Sequence, residues 1–488
     1  VSSSAYLYSL LENDGVVRRD LPQSMAVPSI AIPVDAFELN ALATRARASA
    51  RNFEFLNNLQ PPQPQNPKLI PSADGKITGM LLTIPVGNTS GDFAAIYDKL
   101  FETLPAHTDL LCLVNTGSKS TVENWIQTYN RTNAAVVEAP DHVGFSIWAQ
   151  DAYAISETSA SETYFIEPLS FLRYADAVIS DYVTNATSLK NFQTPLYFQG
   201  GNILIGDDFW FIGIDYPTNT LDYVNNSIFP NPGETGEQLV RRLYTEYLDS
   251  SRTLRYIGST VPVPSEGIVL AQEQGTYYVD MVYQGNKNGT AQPLFHIDMF
   301  LSLAGRDQNG SYQILVADPS LGPATPWSTS GAGYSMQNVF DNIASNLSAS
   351  GYTVIRNPLP ITFSSRMLPV SVFNRPHDPE LFSIYTTLTA AGVSQVELRS
   401  WYFATANNAL VQNTQDAGDK KVWLPTYGYD LQSPGSSEKD YSYLQASDNA
   451  NKQIWENLGY NVEMLPSFHR LARGLGAVHC IQKYVSRG

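Results

Sequence analysis

Asp109-Leu110-Leu111-Cys112-Leu113-Val114 is a short apolar run with one charged residue at its start, the length and content of a buried strand. Asp92–Leu104 before it and Ser120–Thr128 after it repeat apolar residues at helical spacing. Working outward, Thr78–Pro85 and Ala134–Glu138 read as further strands, so strands and helices alternate from about Gly75 onward. The same helix-then-strand order returns three times. Asn338–Ser350 precedes Tyr352-Thr353-Val354-Ile355, Pro379–Ala391 precedes Val396-Glu397-Leu398, and Asn449–Leu458 precedes Asn461-Val462-Glu463-Met464. This repetition predicts a modular α/β architecture.

The first 60 residues differ: a strand-like run, Pro28-Ser29-Ile30-Ala31-Ile32-Pro33-Val34, is followed by a helical pattern from Asp35, a plausible N-cap, to about Leu56. Pro61-Pro62-Gln63-Pro64-Gln65-Asn66-Pro67 is a proline-rich linker or strap. The expected division is therefore an extension and linker over residues 1–74 and a main domain over 75–488. The extension is too short for a core of its own and is expected to pack on the main domain. The polar, Gly- and Tyr-rich stretches 260–290 and 405–445 are expected to be long loops walling a site.

Hydrophobic residues make up 43% of the 488 and aromatic residues 11%, which predicts a large folded core. A net charge of -16 disfavours nucleic acid and anionic membranes as partners, since both need basic patches. It suits a cationic substrate, although an acidic surface also serves plain solubility. No apolar run is long enough to span a membrane as a helix. The sequence starts at Val1 and carries seven Asn-x-Ser/Thr sequons, at Asn88, Asn130, Asn185, Asn225, Asn288, Asn309 and Asn346. Secretion after removal of a signal peptide, with glycans on some of these, is the expectation.

Only two cysteines are present. Cys112 lies in the apolar run and reads as structural, whereas Cys480 follows Gly474-Leu475-Gly476-Ala477-Val478-His479, where glycines permit close approach to a ligand. By itself a late cysteine is more often a packing residue than a nucleophile. Three other stretches set polar groups inside apolar runs. Ser146-Ile147-Trp148-Ala149-Gln150-Asp151 puts a carboxylate among aromatics, and Phe198-Gln199-Gly200-Gly201-Asn202 brings two glycines into a strand. In Phe295-His296-Ile297-Asp298-Met299 the histidine and aspartate, two apart on a strand or strand end, share one face. A thiolate, an imidazole and two carboxylates together suit a planar cation: carboxylates can hold a guanidinium, the thiolate attack its carbon, and the histidine move the proton.

In order and wording these stretches resemble the guanidine-modifying, or pentein, superfamily, which includes peptidylarginine deiminases, arginine and agmatine deiminases and amidinotransferases. Trp148-Ala149-Gln150-Asp151, Gly200-Gly201-Asn202, His296-x-Asp298 and Gly476-Ala477-Val478-His479-Cys480 carry the resemblance, over about two thirds of the chain. It implies a five-bladed, pseudo-symmetric α/β propeller with the short N-terminal extension packed on it. It implies Cys480 as nucleophile, His296 as general acid and base, and Asp151 and Asp298 as holders of the guanidinium, with Trp148 and Asn202 lining the substrate. His479 is left without a chemical step, as a residue that tunes the nucleophile or supports its turn.

Gln150 before Asp151 and the wording around His296 are closer to peptidylarginine deiminases than to agmatine deiminases, so the expected reaction converts peptidyl arginine to citrulline and ammonia. A loose alignment sets Arg173 where such enzymes grip the substrate main chain or its carboxylate, against an ordinary surface or salt-bridged arginine. A deiminase of agmatine or free arginine, an amidinotransferase, and a silent secreted binding protein are the alternatives. No cofactor or metal is expected to be required. Ala152-Tyr153-Ala154 lacks the carboxylates of the vertebrate calcium site, which puts calcium dependence in doubt. Expected partners are arginine-containing peptides or proteins.

Overall fold

A computed structural model describes residues 3–11, 16–20, 63–173, 175–224, 231–284, 291–323, 335–429 and 441–488. The strand-like run from Pro28, the helix from Asp35 and the start of the proline-rich linker lie outside the described residues. The fold is mixed α/β with several small sheets, none of them closed.

Helix α1 (Ser3–Leu11) opens the chain. Then come β1 (Lys68–Leu69), β2 (Ile77–Ile84), α2 (Gly91–Thr103), β3 (Asp109–Asn115), α3 (Thr116–Thr128) and β4 (Ala134–Ala139). They continue as β5 (Ala154–Glu157), β6 (Thr163–Glu167), α4 (Ile179–Ala186), β7 (Lys190–Gln193), β8 (Ile203–Ile205), β9 (Phe209–Gly213), α5 (Asp215–Val224), α6 (Gly236–Tyr247) and β10 (Thr253–Ile257). The hairpin β11 (Ser265–Glu273) and β12 (Thr276–Gln284) precedes β13 (Leu301–Arg306), β14 (Tyr312–Asp318), α7 (Gln337–Ala349), β15 (Thr353–Pro358) and β16 (Ile361–Pro369). The chain closes with α8 (Pro379–Ala390), β17 (Gln395–Phe403), β18 (Leu410–Gln412), β19 (Lys421–Thr426), α9 (Gln445–Asn457), β20 (Asn461–Ser467), α10 (His469–Arg473) and β21 (Gln482–Arg487).

One pairing rule recurs five times. An entry strand pairs antiparallel with a central strand, which then pairs parallel with a third strand reached through a helical connection. The sets are β21-β2-β3, β5-β6-β7, β8-β9-β10, β13-β14-β15 and β18-β19-β20. The parallel step demands a crossover, which is why helical and strand periods alternate in the sequence. The first set draws its entry strand from the end of the chain, so β21 ties the C-terminus to β2. A further sheet, β11-β12-β17-β16, stands outside the rule. Beside it α1 packs Leu7 into a cluster with Ile268, Val279 and Leu381.

Cys112 is fully buried on β3, as its apolar run predicts. The two expected long loops are corrected. Residues 265–284 form a hairpin turned at Gln274 and Gly275, whose φ angles of 49° and 83° suit a tight two-residue turn. Its Tyr277, Val279 and Met281 alternate on one face. Within 405–445, β18 and β19 are strands, and 430–440 lie outside the described residues. Asn88 is also corrected as a glycan acceptor: its amide nitrogen is buried, so a sugar has no room there. Asn130, Asn185, Asn309 and Asn346 are exposed, and Asn225 and Asn288 lie outside the described residues. Among the described residues no helix is long and apolar enough to cross a membrane.

Candidate active site

The residues just ahead of each entry strand converge. Asp151 lies three residues before β5, Asn202 one before β8, Asp298 three before β13, Asn408 two before β18 and Cys480 two before β21. Backbone bonds stitch these junctions together: Gln150 N–H donates to the Cys480 carbonyl at 3.2 Å, Gly200 N–H to Asp151 at 2.8 Å, and His479 N–H to Asn408 at 3.2 Å. A Cβ on Gly201 would overlap Arg19 Nη2, His296 Nδ1 and Asp151 Oδ1, and one on Gly476 would overlap the Trp148 indole. Those glycines are needed because other groups occupy the space a side chain would take.

At the centre lies a guanidinium from the chain itself. Arg19 Nε donates to Asp151 Oδ2 at 2.9 Å and Nη2 to Asp151 Oδ1 at 2.5 Å, a bidentate fork. Its Nη1 reaches Asp298 Oδ1 at 3.3 Å and the Leu475 carbonyl at 2.9 Å. Leu475 holds that carbonyl in a left-handed conformation, φ 65°. Arg19, Asp151 and His296 are all fully buried, and Asp298 nearly so.

Asp298 also accepts from His479 Nδ1 at 2.9 Å and from the Cys480 thiol at 3.5 Å, so one carboxylate touches guanidinium, imidazole and sulfur. Asn408 fixes the loop that carries Cys480. Its Oδ1 accepts from the N–H groups of Ala477 at 2.9 Å and Cys480 at 3.2 Å, and from Cys480 Sγ at 3.1 Å. His296 Nε2 donates to Gln199 Oε1 at 2.8 Å, which leaves Nδ1 unprotonated, without a hydrogen bond, and 3.6 Å from Asp151.

Burial by itself would raise the Asp151 pKa, but the Arg19 guanidinium, with His296 and Arg173, holds it well below the usual carboxylate range. Asp298 behaves alike: Arg19 and His479 outweigh its burial and lower it. Burial pushes the Cys480 thiol up; Arg19 opposes this, while Asp298 and Asp151 add to it. Burial and the neighbouring Arg19 lower His296 to about 3, against the pull of Asp151 and Asp298. With Arg19 in place the site thus holds a thiol, a neutral imidazole and a paired guanidinium.

Arg173 is no surface arginine: it is fully buried, pairing with Asp176 at 2.8 Å and Asp151 at 2.7 Å. Its Nη1 donates to the main-chain carbonyl of Arg19 at 2.5 Å. Trp148 lies under the segment Val16–Asp20, its indole N–H donating to the Val17 carbonyl at 2.7 Å and its ring centroid 5.8 Å from the Arg19 guanidinium. Asn202, expected to line the substrate, is fully buried at the base of the neighbouring turn. It bonds Gln292 at 3.1 Å and the Ile297 N–H at 3.1 Å, so it shapes the His296–Asp298 turn. That turn is a 3-10 turn rather than a strand end.

No family model matches the sequence, and no curated protein matches it. Among solved structures it is similar to the agmatine deiminase of Enterococcus faecalis, with 12% identity, a TM-score of 0.48, and 87% of this chain and 97% of that one covered. It is similar likewise to the agmatine deiminase of C. jejuni, with 10% identity, a TM-score of 0.48, and 86% and 96% covered.

Four contributors escape the motif reading. Gln199 lies inside a quoted stretch but has no chemistry of its own to announce it. Asn408 sits in a polar run, Thr405-Ala406-Asn407-Asn408, with nothing periodic about it. Lys483 follows closely after Cys480 and donates to the carbonyls of Gln150 at 3.1 Å and Tyr153 at 2.7 Å. Arg19 belongs to the extension, and only a cation paired in the structure reveals it. Among the described residues no group of three or more His, Cys, Asp or Glu is placed to hold a metal ion.

Proposed function

We propose that this chain is a guanidine deiminase, a hydrolase of guanidinium C–N bonds, acting on arginine residues within peptides. One observation carries the reading: a guanidinium forked by Asp151 and touching Asp298, with the Cys480 thiol on that second carboxylate. Without Arg19 the buried Asp151 would keep, among the described residues, only one ion-pair partner, Arg173, which it shares with Asp176, and Asp298 would keep only His479, so the emptied fork favours a cation.

In the proposed cycle the Cys480 sulfur gives up its proton and bonds to the guanidinium carbon, with His296 taking part as acid and base. Ammonia leaves with a proton from the imidazole, and the carbon stays on sulfur as a thiouronium. Water then adds to that carbon and the C–S bond breaks, giving citrulline and the free thiol. The five ββαβ units are read as blades of one propeller, since their junctions supply Asp151, Gly200–Asn202, His296–Asp298, Asn408 and Cys480 to one locus.

Arg173 favours an arginine within a chain: its Nη1 serves a main-chain carbonyl, an acceptor that agmatine lacks. A small guanidine is the second reading, since agmatine is the substrate named for the similar solved structures. Ammonia release from a blocked arginine peptide, free arginine and agmatine separates the two, and Cys480→Ala is expected to release none from any of them. Full ammonia release by that variant would falsify the function, and a preference for agmatine would overturn the peptide reading.

A further inference from the structure

The described stretch Val16–Asp20 lies across the active site as a bound peptide would. The Arg19 N–H donates to the Gly474 carbonyl at 3.0 Å, its carbonyl accepts from Arg173, and its guanidinium fills the fork. On one side Val17 is held by Trp148. On the other the Arg18 side chain lies 4.0 Å from the Tyr8 ring and pairs with Asp20 at 2.7 Å and Glu266 at 3.1 Å. Tyr8 belongs to α1, which is anchored by Ser3 on Asp378 at 2.6 Å and Tyr6 on the Val372 carbonyl at 3.1 Å, both in the connection between β16 and α8. The strap therefore has anchors beyond the site as well as within it. A cleft lined by Tyr8, Val16, Arg18, Arg473 and Gly474 runs along its outer side.

We propose that Val16–Asp20 is a tethered internal occupant of the guanidinium site, and that an incoming substrate must displace Arg19 to reach Cys480. The identity of that substrate rests on the proposed deiminase function, whereas the shielding of Cys480 does not. A tethered arginine competes at an effective concentration of the order of mM, well above that of a dilute peptide. Arg19 itself stays an arginine because Arg19, Asp151, His296 and Cys480 have no exposed surface, and this burial pushes the Cys480 thiol up, so the sulfur keeps its proton and the first step, attack by a thiolate, is withheld. Hydrolysis of a thiouronium needs a water that this closed arrangement excludes.

The test is labelling of Cys480 by chloroacetamidine, a guanidinium-shaped electrophile, read by mass spectrometry in the wild type, Arg19→Ala and Arg19→Lys. Emptying the fork is expected to speed labelling of Cys480 about tenfold or more in Arg19→Ala, and by less in Arg19→Lys, which keeps a tethered cation. For the blocked arginine peptide, KM is expected to fall about tenfold in Arg19→Ala while kcat holds. Equal labelling across the three proteins, a matching rise at buried Cys112, or recovery of Arg19 as citrulline in the wild type overturns the proposal. Faster labelling without ammonia release from any protein sinks the deiminase reading and leaves the occupant standing. Ammonia release with unchanged labelling and KM does the reverse.

Discussion

Asn408 shows how much of the site depends on a residue with no titratable group. Its side-chain oxygen collects two backbone N–H groups and the Cys480 thiol, and its amide nitrogen donates to the Asp298 carbonyl at 3.2 Å. It thus sets the Cys480 thiol against the carboxylate that meets the guanidinium. Asn408→Ala is expected to cut kcat about 100-fold with KM little changed, because a displaced nucleophile costs rate more than binding. Steady-state kinetics with unchanged circular dichroism checks this, and retention of full kcat would remove Asn408 from the machinery. Cys480, His296, Asp298 and Asp151 were legible because their residue types name a chemistry. Asn408 and Gln199 act by hydrogen bonding alone, a property that Asn and Gln share at any position in any chain.

At the scale of elements, period was the readable signal. Apolar spacing located β2 to β4, α2 and α3, and the helix–strand pairs around α7, α8 and α9 within a few residues. It failed at the β11–β12 hairpin, whose tyrosines and polar residues resemble loop composition until a partner strand gives them a face. Helix α6 carries a local signal of another kind: Thr235 accepts from the Gln238 N–H while Gln238 bonds back to the Thr235 N–H, a capping box. The box opens a helix whose Leu239, Leu243 and Tyr244 pack with Trp210 and Leu254, none of them a residue of the guanidinium site. Thr235→Ala is expected to cost about 1 kcal/mol of stability and leave ammonia release unaltered. Urea denaturation measures the cost, and an unchanged midpoint would show that the cap contributes nothing.

For the whole molecule, the buried charges make stability depend on pH. Burial lowers the Lys483 ammonium to about 7, against the opposing pull of Asp151 and Asp298. Its unfolded value is about 10.4. Between those values the unfolded chain binds a proton that the folded chain does not, so this lysine makes stability rise with pH across that window. Below pH 7 its full penalty is present. Relative to Lys483→Met, the wild type is therefore expected to gain Tm steadily from pH 7 to 9. Parallel thermal melts test this, and a pH-independent difference between the two proteins would show that Lys483 stays charged.

Taken alone, the chain's sequence determined its alternation of helix and strand, the apolar setting of Cys112, and an inventory of thiol, imidazole and carboxylates fit for a guanidinium. Those are properties of residue type and spacing, which a linear chain carries openly. The tertiary structure decided that Arg173 turns inward to a main-chain carbonyl, that Asn202 braces a turn, and that Arg19, 132 residues before Asp151, fills the fork between the carboxylates. Each of these is a pairing across long sequence separation. Its partner is fixed only when five strand junctions meet and buried charges must find one another out of water.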